Sequence, residues 1–191
     1  MVTYIHVRAI NQSTRFARLS VGASTFPCWL GRTGLSFRKR EGDGKTPIGV
    51  WTLRPGFFRA DRLRKPEGGL KLAPLTADMG WCEMPASGQY NRKVRLPFRD
   101  VSESMWRTDN AYDVVFPTDH NEHPRVKGAG SAIFFHLLRE GGDCTAGCVA
   151  VRGSDMKKIL ARCGRESVLV IWPPHGGLAI NRVRRKGHSL P

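Results

Sequence analysis

The chain has 191 residues, 40% of them hydrophobic and 25% charged, and its formal charge is +15, from 31 Lys and Arg against 16 Asp and Glu. That apolar content excludes an intrinsically disordered chain and suffices for one domain with its own core, while no apolar run reaches the ~18 residues of a membrane-crossing helix. The segment Met1 to Ile10 lacks the basic stretch and unbroken apolar run of a secretory signal, and the cation excess, 22 of the 31 being Arg, points to a partner bearing negative charge.

In chain order, Tyr4 to Ala9 alternates Ile5, Val7 and Ala9 with polar neighbours, the period of a half-buried strand. Arg15 to Val21 repeats the pattern, and Asn11 to Thr14 between them reads as a hairpin connection. Residues 31–49 are polar and punctuated by glycine, and Val50 to Leu53 is a short strand. Residues 54–100 contain five prolines and read as irregular loops decorating a sheet. Ser102 to Trp106 reads as a capped helical turn. Asp113 to Phe116 and Ser131 to Leu138 are strands, the second apolar enough to be central. Ser154 caps a helix over Asp155 to Cys163, where Met156, Ile159, Leu160 and Cys163 form one apolar face, and Gly164 stops it. Ser167 to Trp172 is a buried strand, and the tail 181–191 is basic. The fold class is therefore mainly β, with one or two short helices.

Five cysteines (Cys28, Cys82, Cys144, Cys148, Cys163) are an odd number in a chain of this size, so a disulfide framework is a poor reading. Cys144, Cys148 and His136 lack a fourth ligand at metal-site spacing, and no metal is expected. His120 and His123 flank Asn121 in a polar loop and read as surface residues.

One stretch carries chemistry. His136 closes an apolar strand, a glycine-containing loop follows, and Cys148 stands directly after Gly147 ahead of another apolar run. Two adjacent strands joined by that loop would bring the imidazole to the thiol, and such a pair is expected to lower the thiol pKa and hold thiolate near neutral pH. Glycine before the nucleophile lets the chain turn sharply and present backbone amides to a developing oxyanion.

His136 followed by Thr145-Ala-Gly147-Cys148-Val149 resembles the active-site signature of the L,D-transpeptidase (YkuD-type) family. Gly31-Arg-Thr-Gly34 and Gly44-Lys-Thr-Pro-Ile-Gly49 are similar to that family's upstream elements, and Trp81-Cys82, Tyr90-Asn91, Trp106 to Asp109 and Tyr112-Asp113 resemble its compact proteobacterial branch. The resemblance implies a single catalytic domain spanning 1–191 with its core over about 15–172, a YkuD-like β-sandwich or mixed sheet, and no cofactor. It makes Cys148 the nucleophile and His136 its base, the imidazole oriented by a backbone carbonyl, with Gly147 and Cys148 offering oxyanion amides and Thr145 shaping the turn at the substrate site. Arg139 and Arg152 are the nearby cations suited to bind substrate carboxylates.

The implied reaction is acyl transfer between peptidoglycan stem peptides, with a meso-diaminopimelate amine as acceptor and a monomeric enzyme in the periplasm. Ala146 and Ala150 stand where many members carry His or Arg, and Arg or Asn, so a 1→3 link is admitted beside 3→3. Hydrolysis of the same thioester would instead give a carboxypeptidase or endopeptidase. A basic nucleic-acid-binding module is the reading from another class. It is disfavoured because the cations are spread along the chain and no base-stacking pattern appears, so no nucleic-acid partner is expected. A Cys144–Cys148 disulfide would silence the site, but over so short a span a structural thiol at Cys144 is the better expectation.

Overall fold

The computed structural model describes residues 1–174; the basic tail over 181–191 lies outside them. Fifteen strands and one helix run in the order β1 (Thr3–Ala9), β2 (Phe16–Val21), β3 (Ser24–Trp29), β4 (Leu35–Ser36), β5 (Thr46–Pro47), β6 (Gly49–Thr52), β7 (Gly56–Phe58) and β8 (Leu72–Pro74). There follow β9 (Met79–Cys82), β10 (Arg92–Arg95), β11 (Ser102–Ser104), β12 (Val114–Pro117), β13 (Phe134–Leu137), β14 (Val149–Val151), α1 (Gly153–Leu160) and β15 (Ser167–Trp172).

Ten strands form one mixed sheet in the order β6-β15-β1-β2-β3-β14-β13-β12-β7-β8. The β1–β2 hairpin is antiparallel with Ala9 opposite Ala17, as the alternation predicts, while β15 joins β1 in parallel. A three-stranded sheet, β10-β9-β11, and the small parallel pair of β4 and β5 complete the mainly-β architecture.

Both faces of the central strands are covered. Val114, Phe116, Phe135 and Leu137 point into the main core with β1, β2, β3 and the Met156, Ile159 and Leu160 face of α1. The alternate residues Val115 and Phe134 turn to a second, smaller core with Met105, Tyr112 and Cys148, which Met79 and Trp81 of β9 help to cover. Burial on both faces is why residues 131–138 read as a continuous apolar run rather than an alternating one.

Three local expectations are corrected. Ser102 to Ser104 is a strand, not a helical turn: Glu103 pairs with Trp81 across β9, and the tertiary edge overrides the capping signal. The 54–100 segment is not wholly irregular but contributes β7 to β10, with Pro74 placed on the terminal strand of the sheet, where a missing N–H is tolerated. The helix begins at Gly153 with Arg152 at its N-cap and no side-chain cap, so Ser154 lies within it, and it ends at Leu160. The Arg152 carbonyl accepts from the Asp155 and Met156 amides, which fixes that earlier start.

Candidate active site

Parallel pairing of β13 with β14 sets His136 opposite Ala150 and Phe135 opposite Val149. Continuing that register backwards brings Cys148 beside Phe134, whose amide donates to the Cys148 sulfur at 3.4 Å. A strand's two-residue period then puts Phe134 and His136 on one face. His136, Cys148, Gly147, Thr145 and Arg139 all line one cleft of about 670 Å³. Arg152 is not among its lining residues; its guanidinium lies 5.5 Å over the Trp29 ring.

The imidazole is buried, and its Nδ1 lies 2.7 Å from the Leu137 carbonyl oxygen. A carbonyl only accepts, so Nδ1 carries the proton and Nε2 is left as the basic nitrogen. Tyr112 packs edge-on against the ring, with centroids 5.4 Å apart, and its hydroxyl donates to Glu103 at 2.9 Å. Glu103 accepts in turn from Arg107 at 3.0 Å, which braces Tyr112 against the imidazole.

The Cys148 thiol donates to the Ala132 carbonyl at 3.1 Å rather than to His136. Burial pushes this thiol up to about 12 and pulls His136 down to about 4. The expected thiolate is therefore absent at neutral pH. Both groups are desolvated in the cleft, and the pair is a neutral thiol and a neutral imidazole.

The turn into Cys148 is held by hydroxyls. Thr145 Oγ1 accepts from the Gly147 amide at 3.1 Å and donates to the Cys148 carbonyl at 2.8 Å. The Gly147 amide, expected to face an oxyanion, is thus engaged inside the turn. Gly147 itself has φ +146, and a Cβ there would stand 2.8 Å from the Lys45 carbonyl oxygen. Thr46, fully buried in β5, reaches the same place: its hydroxyl donates to the Cys148 carbonyl at 3.3 Å and accepts from the Gly31 amide at 2.8 Å. Gly31 is needed because a Cβ would fall 2.2 Å from the Gly44 carbonyl oxygen. The upstream Gly-Lys-Thr-Pro-Ile-Gly stretch is therefore the back wall of the nucleophile turn.

Sequence reasoning missed much of the cleft. Lys39 and Arg32 line it, as do Glu41, Glu83 and Glu103. Burial, then repulsion by Glu103 and Glu41, pushes Glu83 up to about 7. These three acids come from separate segments with no shared spacing, so no sequence signal could have gathered them. Ala150, buried and paired with both His136 and Trp29, leaves no room for the Arg or Asn that the resemblance would place there.

Cys144 lines the cleft and is partly exposed, and it and the other four cysteines are free thiols, with no Cys144–Cys148 disulfide. His120, expected at the surface, is buried, with Nε2 3.0 Å from the Ala129 carbonyl oxygen and its ring edge-on to Trp51. The polar loop folds inward there, whereas His123 is exposed. No described helix is long and apolar enough to cross a membrane.

The family model of the L,D-transpeptidase catalytic domain, YkuD, matches residues 3–171. No curated protein matches the chain.

Proposed function

The chain belongs to the L,D-transpeptidase (YkuD) catalytic-domain family, and from that premise we propose that it cross-links peptidoglycan stem peptides through a thioester on Cys148. The observation that carries the reading is the convergence of the Cys148 thiol and the His136 imidazole, its Nδ1 held by the Leu137 carbonyl, on one cleft. As Sγ attacks a donor peptide carbonyl, Nε2 takes the thiol proton, and a C–S bond forms while the carbonyl oxygen gains the charge. Collapse of this tetrahedral species expels the donor's terminal residue as an amine, which receives the proton from His136. An acceptor amine then attacks the thioester, loses a proton to His136, and its new amide bond replaces the C–S bond. The sulfur leaves as thiol after recovering that proton.

A neutral resting pair suits this sequence, because charge separates only when a carbonyl is present to accept electrons. Moving the thiol proton from the Ala132 carbonyl to Nε2 requires rotation about the Cys148 side-chain bond, and substrate supplies the reason to rotate. The Gly147 amide becomes an oxyanion donor on release from Thr145 Oγ1, with the Cys148 amide beside it.

The charges lining the cleft match the two substrates. Arg32 and Arg139 offer guanidinium forks to stem-peptide carboxylates. Glu83 and Glu103 line the cleft, and Glu83, once ionised, offers its charge to an incoming diaminopimelate ammonium. Either a 3→3 or a 1→3 bond is served by this arrangement, and the periplasm is the compartment where such substrate exists.

The test is mass analysis of products from purified tetrapeptide and pentapeptide muropeptides. Dimers from the wild type, none from Cys148→Ala, and a loss of at least ~10²-fold in rate for His136→Gln are expected, from the size of general-base contributions. Trimmed monomers without dimers would mean that water resolves the thioester, and dimers from Cys148→Ala would remove the nucleophile.

A further inference from the structure

A second cavity of about 290 Å³ opens beside the first. Trp81 in this cavity and Glu83 in the catalytic cleft are two residues apart along β9 and its extension, about 7 Å. Phe57 and Trp81 give the second cavity an apolar floor, and its rim carries Arg54, Arg92, Lys93 and Arg125. Glu122 is the one carboxylate in the lining, and it is already paired with Arg54. Four cations thus share that single acid, and burial, then the Arg92 charge, lowers the Arg125 pKa despite the opposing pull of Glu122. The Lys93 ammonium lies 5.2 Å over the Phe57 ring.

The wall shared with the catalytic cleft is tied together by hydrogen bonds of Asn91. Asn91 Oδ1 accepts from the Trp81 indole N–H at 3.0 Å and from the Ala132 amide at 3.1 Å. Its Nδ2 donates to the His120 and Asn121 carbonyls at 2.9 and 3.0 Å. Ala132 is the residue whose carbonyl holds the Cys148 thiol. A group seated against Trp81 is thus held in fixed relation to the nucleophile by two hydrogen-bonded residues.

We propose that this basic, aromatic-floored cavity is a docking subsite for a carboxylate-bearing disaccharide-peptide segment of peptidoglycan, remote from the bond that reacts. The inference rests on the cross-linking function proposed above. The excess of cations over the single Glu122 would take carboxylate at Arg92 and Arg125, and the Phe57–Trp81 floor would take the flat apolar face of a sugar or the aliphatic stem. Binding energy gathered there orients the stem at Cys148, as remote contacts do in transfer enzymes.

The probe is a purified disaccharide-tetrapeptide titrated into Cys148→Ala protein, read by the Trp81 indole N–H resonance and by calorimetry. A shift of that resonance, and an affinity about tenfold weaker in Arg92→Glu/Arg125→Glu, are expected for reversal of two partly exposed charges. Arg92→Gln/Arg125→Gln gives the same direction at smaller amplitude if charge reversal disturbs folding. An unmoved Trp81 signal, or unchanged affinity in both pairs, overturns the proposal. So does a short single-stranded DNA that shifts Trp81 equally and competes, because the site would then be a general polyanion surface. Wild-type dimer formation with Trp81 unmoved defeats the docking site alone, whereas a Trp81 shift with no dimer formation defeats the cross-linking reading and leaves the docking site standing.

Discussion

The His136 Nδ1 contact with the Leu137 carbonyl, at 2.7 Å, decides which ring nitrogen acts as a base. Sequence could name the histidine but not its tautomer, since the acceptor is a backbone atom that every residue has. Glu83 is the opposite case, a residue with no motif whose meaning is wholly positional. Burial and its acidic neighbours bring it to about 7, so it passes from acid to carboxylate within the working range of the enzyme. Above that pH it carries the charge an acceptor ammonium needs; below it the charge is gone. The cross-linking rate should therefore rise with pH through about 7. Glu83→Gln should remove that limb and raise the acceptor KM by about tenfold, the size of a lost ion pair in a partly screened cleft. A Glu83→Gln profile that overlays the wild type would show that another group titrates there.

At the scale of elements, the parallel β13–β14 pair is what turns two distant residues into one site. The apolar runs around His136 and Cys148 were legible, because hydrophobic composition marks buried strands whatever their partners. Ser102 to Ser104 was misread because its capping signal is local, whereas its pairing with β9 is not. The glycine-rich 31–49 stretch was legible as a motif but not as a support. Its Thr46 hydroxyl joins Gly31 to the carbonyl of the nucleophile. Thr46→Val keeps the shape and leaves the Gly31 amide unpaired in a buried place. It should cost about 1–3 kcal/mol by urea unfolding and slow cross-linking. A valine variant as stable and active as the wild type would show that water replaces the hydroxyl.

The whole molecule is a curled mixed sheet with a core on each side, and the site lies on the smaller one. Its stability should respond to acid through His136. A depressed imidazole pKa means that the folded state binds fewer protons than the unfolded chain between about 6.5 and about 4. That contribution is complete above 6.5 and lost as pH falls to about 4, on the order of 3 kcal/mol. Glu83, raised to about 7, acts in the opposite sense: its share is present below 4.5 and lost as pH rises through about 7. The urea midpoint of the wild type should therefore fall more steeply than that of His136→Gln from pH 6.5 to 4.5. Parallel slopes would mean that the imidazole protonates without strain. The +15 charge acts at this scale too, drawing the protein toward a carboxylate-rich polymer in a manner that weakens with salt.

By itself the sequence determined the strand pattern around His136 and Cys148, the need for glycine before the thiol, and the basic character of the molecule. Each of these is written in residue type and short-range spacing. Only the tertiary structure decided that the resting pair is neutral, because burial of both groups comes from strands far apart in the chain. It alone assembled Glu41, Glu83 and Glu103 around one cleft, and put Thr46 behind the nucleophile. Arg139 and Arg152, equivalent as nearby cations in sequence, separate in space: one lines the cleft and the other covers Trp29. The physical reason is the same throughout. Patterning fixes which side of a strand is buried, whereas desolvation, hydrogen-bond partners and charge neighbours depend on which strands the sheet sets side by side.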